Sequence, residues 1–292
     1  MFSYRHAFHA GNHADVLKHS TLIAVVRYLT QKDTALTVID THAGAGLYRL
    51  DGDYAQTSGE AEQGLAKLFE AETELAPLLE DYKALIAEFN PGLPFSKSTT
   101  PKVYPGSPFI VQKLLREQDR LKLYELHPTD GKALSSNVAQ LNADKQIAVL
   151  REDGFNCVTK FLPPPSRRAL LLCDPSYEIK TDYTRVATLL DDALKRFATG
   201  CYAIWHPIIP RPEAHELPRR LKALTNKADK PWLHATLTVK SGKDAKGLPA
   251  SGMFIVNPPH TLHSLLKAAL PQMMELLGQD KNAAFTLESG NL

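Results

Sequence analysis

Two hydrophobic periodicities divide the chain. Short runs dominated by apolar residues occur at 37–40, 121–125, 147–150, 170–173 and 202–207. Runs of that kind are expected of strands buried on both faces of a parallel sheet. Between them apolar residues recur at steps of three and four, the helical period. Leu22, Val26 and Leu29 continue a helix that Asn12 caps, with Asp15 as a carboxylate in its first turn. Leu75, Leu78, Leu79, Tyr82, Leu85, Ile86 and Phe89 form one apolar face that Asn90-Pro91-Gly92 stops, and Leu65, Leu68 and Phe69 suggest a partner helix. Further helices are expected through Ile110, Leu114 and Leu115, over 130–141 and over 183–197. Two late strands, 233–239 and 253–256, bound a basic loop at 240–246, whereas 283–292 carries no clear signal. The alternation of strands and helices predicts an α/β fold around a mostly parallel sheet.

The strands share one feature at their ends. Asp40, Glu125, Asp153 and Asp174 each stand where an apolar run stops. Open α/β sheets bind ligands at this edge. After Asp40 comes Thr41-His42-Ala43-Gly44-Ala45-Gly46, a turn whose glycines allow tight bending and close approach to a ligand. An ordinary turn reads the same way, and the G-x-G-x-x-G of a dinucleotide site is incomplete. Glu125 is placed to pair both hydroxyls of a ribose, or is a surface glutamate. Asp153, before Gly154, is suited to accept from an adenine amino group. Asp40 and Glu125 lie too far apart in sequence for a single crossover, so 51–104 is expected to be a helical insertion. The main domain then comprises 1–50 and 105–292.

The N-terminal segment carries His6, His9, His13 and His19. His9 and His13 are four apart, but Gly11 and Asn12 break the helix that would align them, and no H-E-x-x-H occurs. No metal is expected; the segment reads as a ring-and-cation surface beside a cofactor or nucleic acid, or as a capping segment. The net charge of +2 is unremarkable, but its distribution is uneven. Residues 51–90 hold ten acids against two bases, and 160–246 hold sixteen bases against nine acids. The basic half is suited to phosphate contacts, although solvated helix faces produce such patterns too. Cys157, Cys173 and Cys201 lie on or near apolar strands and form no C-x-x-C, as expected of buried thiols in a reducing compartment. With no signal peptide or membrane-spanning run in view, a cytoplasmic protein without membrane association is expected.

Asp174-Pro175-Ser176-Tyr177 is similar to the Asp-Pro-Pro-Tyr motif of amino-group methyltransferases, and the D-x-x-x-G-x-G loop is similar to the methionine-side loop of class I methyltransferases that use S-adenosylmethionine (SAM). The resemblance widens with Tyr4-Arg5-His6 through Lys18-His19, the 40–46 loop, Pro105-Gly106-Ser107-Pro108, Glu125-Leu126-His127-Pro128 and Lys180-Thr181-Asp182-Tyr183. Together these resemble the RlmJ family of bacterial 23S ribosomal RNA adenine N6-methyltransferases over nearly the whole chain. The resemblance implies a Rossmann-like class I SAM methyltransferase with a small helical subdomain inserted. It implies SAM as cofactor, S-adenosylhomocysteine as product, 23S ribosomal RNA as partner, and a monomer with no obligate protein partner. Lys18, His19, Asp40, His42, Gly44, Gly46, Ser107, Glu125, Asp153, Gly154 and Asp174 are then expected around the cofactor. Asp174, Pro175 and Tyr177 are expected at the reacting amine, with Tyr4, His6 and Tyr177 against the target nucleotide. Ser176 departs from the motif's second proline, which puts loop rigidity in question. DNA adenine N6-methylation is the nearest alternative, and a nucleic-acid-binding role in the use of external DNA is a more distant one.

Overall fold

The computed structural model describes residues 6–52, 59–92, 101–143, 145–241 and 247–291. In chain order its strands are β1 (Thr37–Asp40), β2 (Leu47–Arg49), β3 (Val103–Pro105), β4 (Arg120–Tyr124), β5 (Ile147–Leu150), β6 (Ala169–Cys173), β7 (Cys201–Ile208), β8 (Trp232–Thr238), β9 (Ala250–Val256) and β10 (Ala284–Gly290). Eight of them form one sheet in the order β10-β8-β9-β7-β6-β1-β4-β5, and β2 pairs with β3 in a separate ribbon. From β5 to β7 all neighbours are parallel, and β9 and β10 run against their neighbours. This is the expected Rossmann-like, mostly parallel architecture.

The centre of the sheet explains the apolar runs. Leu170, Leu171 and Leu172 of β6 are fully buried because helices cover both faces. Leu170 and Leu172 join a cluster with α1 (His13–Leu29), α4 (Ser107–Leu114) and α9 (Leu262–Leu277). Leu171 and Cys173 point the other way, toward α6 (Cys157–Phe161), α7 (Thr181–Arg196) and α8 (Pro212–Lys227). Cys157, Cys173 and Cys201 are free, buried thiols.

α1 is unusual in that residues 13–26 are all buried. One side lies on the core, and α2 (Leu65–Glu70) and α3 (Pro77–Glu88) share the same hydrophobic cluster. Both helices come from the 51–104 segment, so that segment helps to roof the helix carrying Lys18 and His19. Gly64 permits the approach: a Cβ there would stand 2.2 Å from the Gly11 carbonyl oxygen. The helix expected over 130–141 is α5 (Pro128–Ala139). No helix among the described residues is long and apolar enough to cross a membrane.

Several elements differ from the sequence-based expectation, which contained neither the β2–β3 ribbon nor the short α6. α8 and α9 carry internal prolines, Pro218 and Pro271, which mask their helical period. β10 falls where no signal was seen because it is an edge strand with no buried residue. The basic loop expected at 240–246 lies largely outside the described residues.

β7 and β8 flank β9 and bury a histidine pair. His206 Nε2 and His234 Nε2 lie 2.9 Å apart across Gly252, where a Cβ would come within 2.6 Å of the His206 ring. Burial lowers His206 to about 4, and burial together with the neighbouring His206 lowers His234 further. Unfolding restores the ordinary value near 6.5, so this contribution is complete above 6.5 and is lost as pH falls toward 4. For His206 the gap is worth roughly 3 kcal/mol. Thermal melts between about pH 7 and 4.5 should show stability falling with pH, and His206→Gln should flatten that fall.

Candidate functional site

The chain leaves β1 for β4 and β5 on one side of the sheet and returns to β6 and β7 on the other. The loops after β1 and β6 therefore diverge, leaving a crevice at the carboxyl ends of the strands. A cavity of about 210 Å³ occupies it. Lys18, His19, His42, Gly44, Ser107, Glu125, Asp153, Gly154, Asp174, Pro175 and His6 all line this cavity, from segments far apart in sequence.

Main-chain donors hold two of the acids. Glu125 Oε2 accepts from the Gly44 N–H at 2.8 Å, and its Oε1 accepts from the His127 N–H at 2.7 Å. Burial nevertheless pushes the Glu125 carboxyl above its ordinary value. Asp153 Oδ1 accepts from the Phe155 N–H at 3.1 Å, and its other oxygen pairs with Arg185. The Arg185 guanidinium lies 4.0 Å from the Phe155 ring centroid, and His42 meets the same ring edge-on. Burial lowers His42 to about 4, so its imidazole is neutral at physiological pH. Gly154 lets the loops after β1 and β5 touch, because a Cβ there would stand 1.9 Å from the Thr41 carbonyl oxygen.

The fourth acid sits in a charge cluster. Asp174 Oδ2 is 2.5 Å from Lys18 Nζ, which lies 2.9 Å from Asp15 Oδ1. Burial alone would lower Lys18, but the two carboxylates outweigh it and hold the ammonium charged. Beside it, His19 Nδ1 is 2.6 Å from the Tyr104 hydroxyl, itself 3.0 Å from that of Tyr82 in α3. Burial holds His19 well below the ordinary histidine range.

Three expected residues do not reach the cavity. Asp40 is fully buried beneath it, accepting from Ser107 Oγ at 2.7 Å and the His42 N–H at 3.3 Å. It supports the loop from below. Gly46 packs toward Phe109 and Leu134, with a positive φ of 81°. Tyr177, expected to stack on a base, is 2% exposed and turned inward. Its left-handed φ of 55° directs the ring between Tyr183 and Trp205, and its hydroxyl donates to the Trp205 carbonyl at 2.7 Å. Tyr4 lies outside the described residues.

The other N-terminal histidines are tied to structure: His9 to Glu60 at 3.0 Å and His13 to the Leu248 carbonyl at 3.0 Å. Among the described residues no group of three or more His, Cys, Asp or Glu is arranged to hold a metal ion. Sequence reasoning missed Tyr48, Phe155, Arg185 and Ile179 on the cavity wall. Phe155 follows Asp153-Gly154 directly and was detectable as an aromatic beside a strand-end acid. Arg185 stands 32 residues from its partner and has no local signal. Leu126 and Ile179, 49% and 61% exposed, are large apolar side chains on the cavity lining.

The sequence model of a family described as "Ribosomal RNA large subunit methyltransferase D, RlmJ" matches residues 33–288. Ribosomal RNA large subunit methyltransferase J of Escherichia coli is 41% identical over 271 residues, covering 93% of this chain and 92% of that protein. Its namesake in Haemophilus influenzae is 38% identical over 288 residues, covering 99% and 98%. A crystal structure of a Legionella pneumophila protein superposes with a TM-score of 0.85 at 32% identity, covering 97% of this chain and 98% of that one.

Ser107→Ala removes the side-chain donor from Asp40. Burial pushes Asp40 up to about 6, so its contribution to folding is complete below the ordinary aspartate value of 3.8 and declines as pH rises through 6. The substitution should cost about 1–3 kcal/mol near pH 8. Urea melts near pH 5, where Asp40 carries its proton, should show a smaller loss.

Proposed function

The chain belongs to the RlmJ family of large-subunit ribosomal RNA methyltransferases, and on that premise we propose that it methylates the N6 amine of an adenine in 23S ribosomal RNA with SAM as donor. The observation that carries this reading is the convergence of Glu125, Asp153 and Asp174 on one cavity at the sheet's switch point. The donor set suits SAM: Glu125 for the ribose hydroxyls, Asp153 for the adenine amine, and the 42–44 turn with Lys18, His19 and Ser107 around the amino-acid end. SAM, when bound, supplies an electrophilic methyl group on a sulfonium.

The remaining work falls to the protein's own groups. An adenine N6 amine is a weak nucleophile because its lone pair is delocalised into the ring. Hydrogen bonds from its two N–H groups to the Asp174 carboxylate and the Pro175 carbonyl favour a pyramidal nitrogen with a localised lone pair. Asp174 then accepts the proton that the cationic nitrogen must lose. A buried Tyr177 shapes the Asp174-Pro175 loop from beneath. Rings on the cavity wall include His6 and Tyr48, edge to face at 5.1 Å, and His42 with Phe155. In this reading 1–50 and 105–292 make the methyltransferase domain, and 51–104 is an inserted subdomain.

Unmodified 23S ribosomal RNA incubated with the protein and SAM should yield N6-methyladenosine by nucleoside mass spectrometry, and matched DNA should not. Asp174→Ala should lower transfer by at least about 10²–10⁴-fold, while calorimetry shows SAM binding within a few-fold of the parent protein. Product on DNA alone would favour the DNA enzyme, and absence of SAM binding would remove the methyltransferase reading.

A further inference from the structure

Asp15 stands at no strand end, and its sequence position suggests only a first-turn carboxylate. Its side chain is 1% exposed, and both oxygens are engaged. Oδ2 accepts from the Gly11 N–H at 2.9 Å and lies 3.0 Å from His6 Nε2. Oδ1 lies 2.9 Å from Lys18 Nζ and 4.0 Å from His19 Nε2. The capping bond at this position uses the main chain instead, since the Asp15 N–H donates to Asn12 Oδ1 at 3.0 Å. The carboxylate therefore serves side chains and the Gly11 turn.

Lys18 is consequently an ammonium between two carboxylates, 2.5 Å from Asp174 and 2.9 Å from Asp15, with its side chain 6% exposed. This arrangement meets a requirement of the reaction proposed above. Asp174 has to receive an amine, yet Lys18 already occupies its Oδ2. With Asp174 as its sole counter-ion, Lys18 could not withdraw without leaving a buried charge unpaired, which is costly. A second carboxylate within reach removes that obstacle.

We propose that Asp15 is a positioning residue that provides the second seat for the Lys18 ammonium, so that Asp174 exchanges the lysine for the target amine. The proposal rests on the reading that Asp174 receives that amine. Through its other oxygen, Asp15 also ties this seat to the N-terminal segment carrying His6. Asp15 is not on the cavity lining; it acts through Lys18.

The test uses Asp15→Asn, which keeps the shape, the capping N–H and an oxygen for Gly11 but loses the charge. In the full-length protein the maximal rate on 23S ribosomal RNA should fall by about tenfold or more, with the RNA KM and SAM Kd within about threefold. In a Lys18→Met background the same substitution should have no further effect. Losses that multiply across the two variants, or weaker binding with an unchanged maximal rate, would overturn the proposal. The NMR resonance of the Lys18 ammonium gives a readout independent of activity: Asp15→Asn should move its shift and hasten its proton exchange with water. An unmoved Lys18 would show that Asp15 is not its seat. A Lys18 resonance that responds to Asp15→Asn as expected, in a protein that leaves RNA unmethylated, would instead count against the proposed substrate.

Discussion

Two carboxylates, the buried Asp15 and the cavity-facing Asp174, share one almost wholly buried ammonium, Lys18, and much of the architecture follows from keeping those charges satisfied there. Removing one member of a buried ionic group is far more costly than any exposed ion pair is worth, because the remaining charge has lost both water and partner. The lysine must therefore come from a helix held rigidly beside the end of β6. α1 meets this need because it is buried along residues 13–26, with the core on one side and α2 and α3 on another. The 51–104 segment thus supports the site from behind: Tyr82 reaches His19 through Tyr104, and Gly64 meets the Gly11 turn that Asp15 anchors.

The remaining acids are held by a different device. Glu125 is fixed by two main-chain N–H groups, and Asp153 by one together with Arg185. Backbone donors do not swing as side chains do, so these carboxylates are set in place before any ligand arrives. Asp40 shows that position alone does not define a ligand contact. It ends its strand as the others do, but Ser107 and the His42 N–H cover it, and its task becomes supporting the turn.

Tyr177 marks the largest difference between motif and geometry. A tyrosine after Asp-Pro-Ser suggests an exposed ring for a base, yet a left-handed backbone and a hydrogen bond to the Trp205 carbonyl turn it into the core. Ser176 replaces the proline that would stiffen this loop, and the buried tyrosine anchors the same loop from beneath. The single hydroxyl contact therefore links β7 to the loop carrying Pro175.

Much of this protein was determined by its sequence locally. Runs dominated by apolar residues specify strands buried on both faces, and the acids that end four of them mark the sheet edge where the cavity lies; so the parallel sheet, its acidic edge and most flanking helices were legible. The edge strand β10 was not, because an element with no buried residue leaves no hydrophobic period to read. Nor were α8 and α9, whose prolines disguise their apolar faces. The cavity itself was only half legible. Strand-end acids announce themselves, but Arg185 on Asp153 and Lys18 on Asp174 pair across 32 and 156 residues, distances over which sequence spacing carries no information. Whether a side chain at the right position faces the cavity, as Glu125 does, or turns inward, as Tyr177 does, depends on backbone angles and on the partners that packing brings within hydrogen-bond reach. Only the tertiary structure decides that.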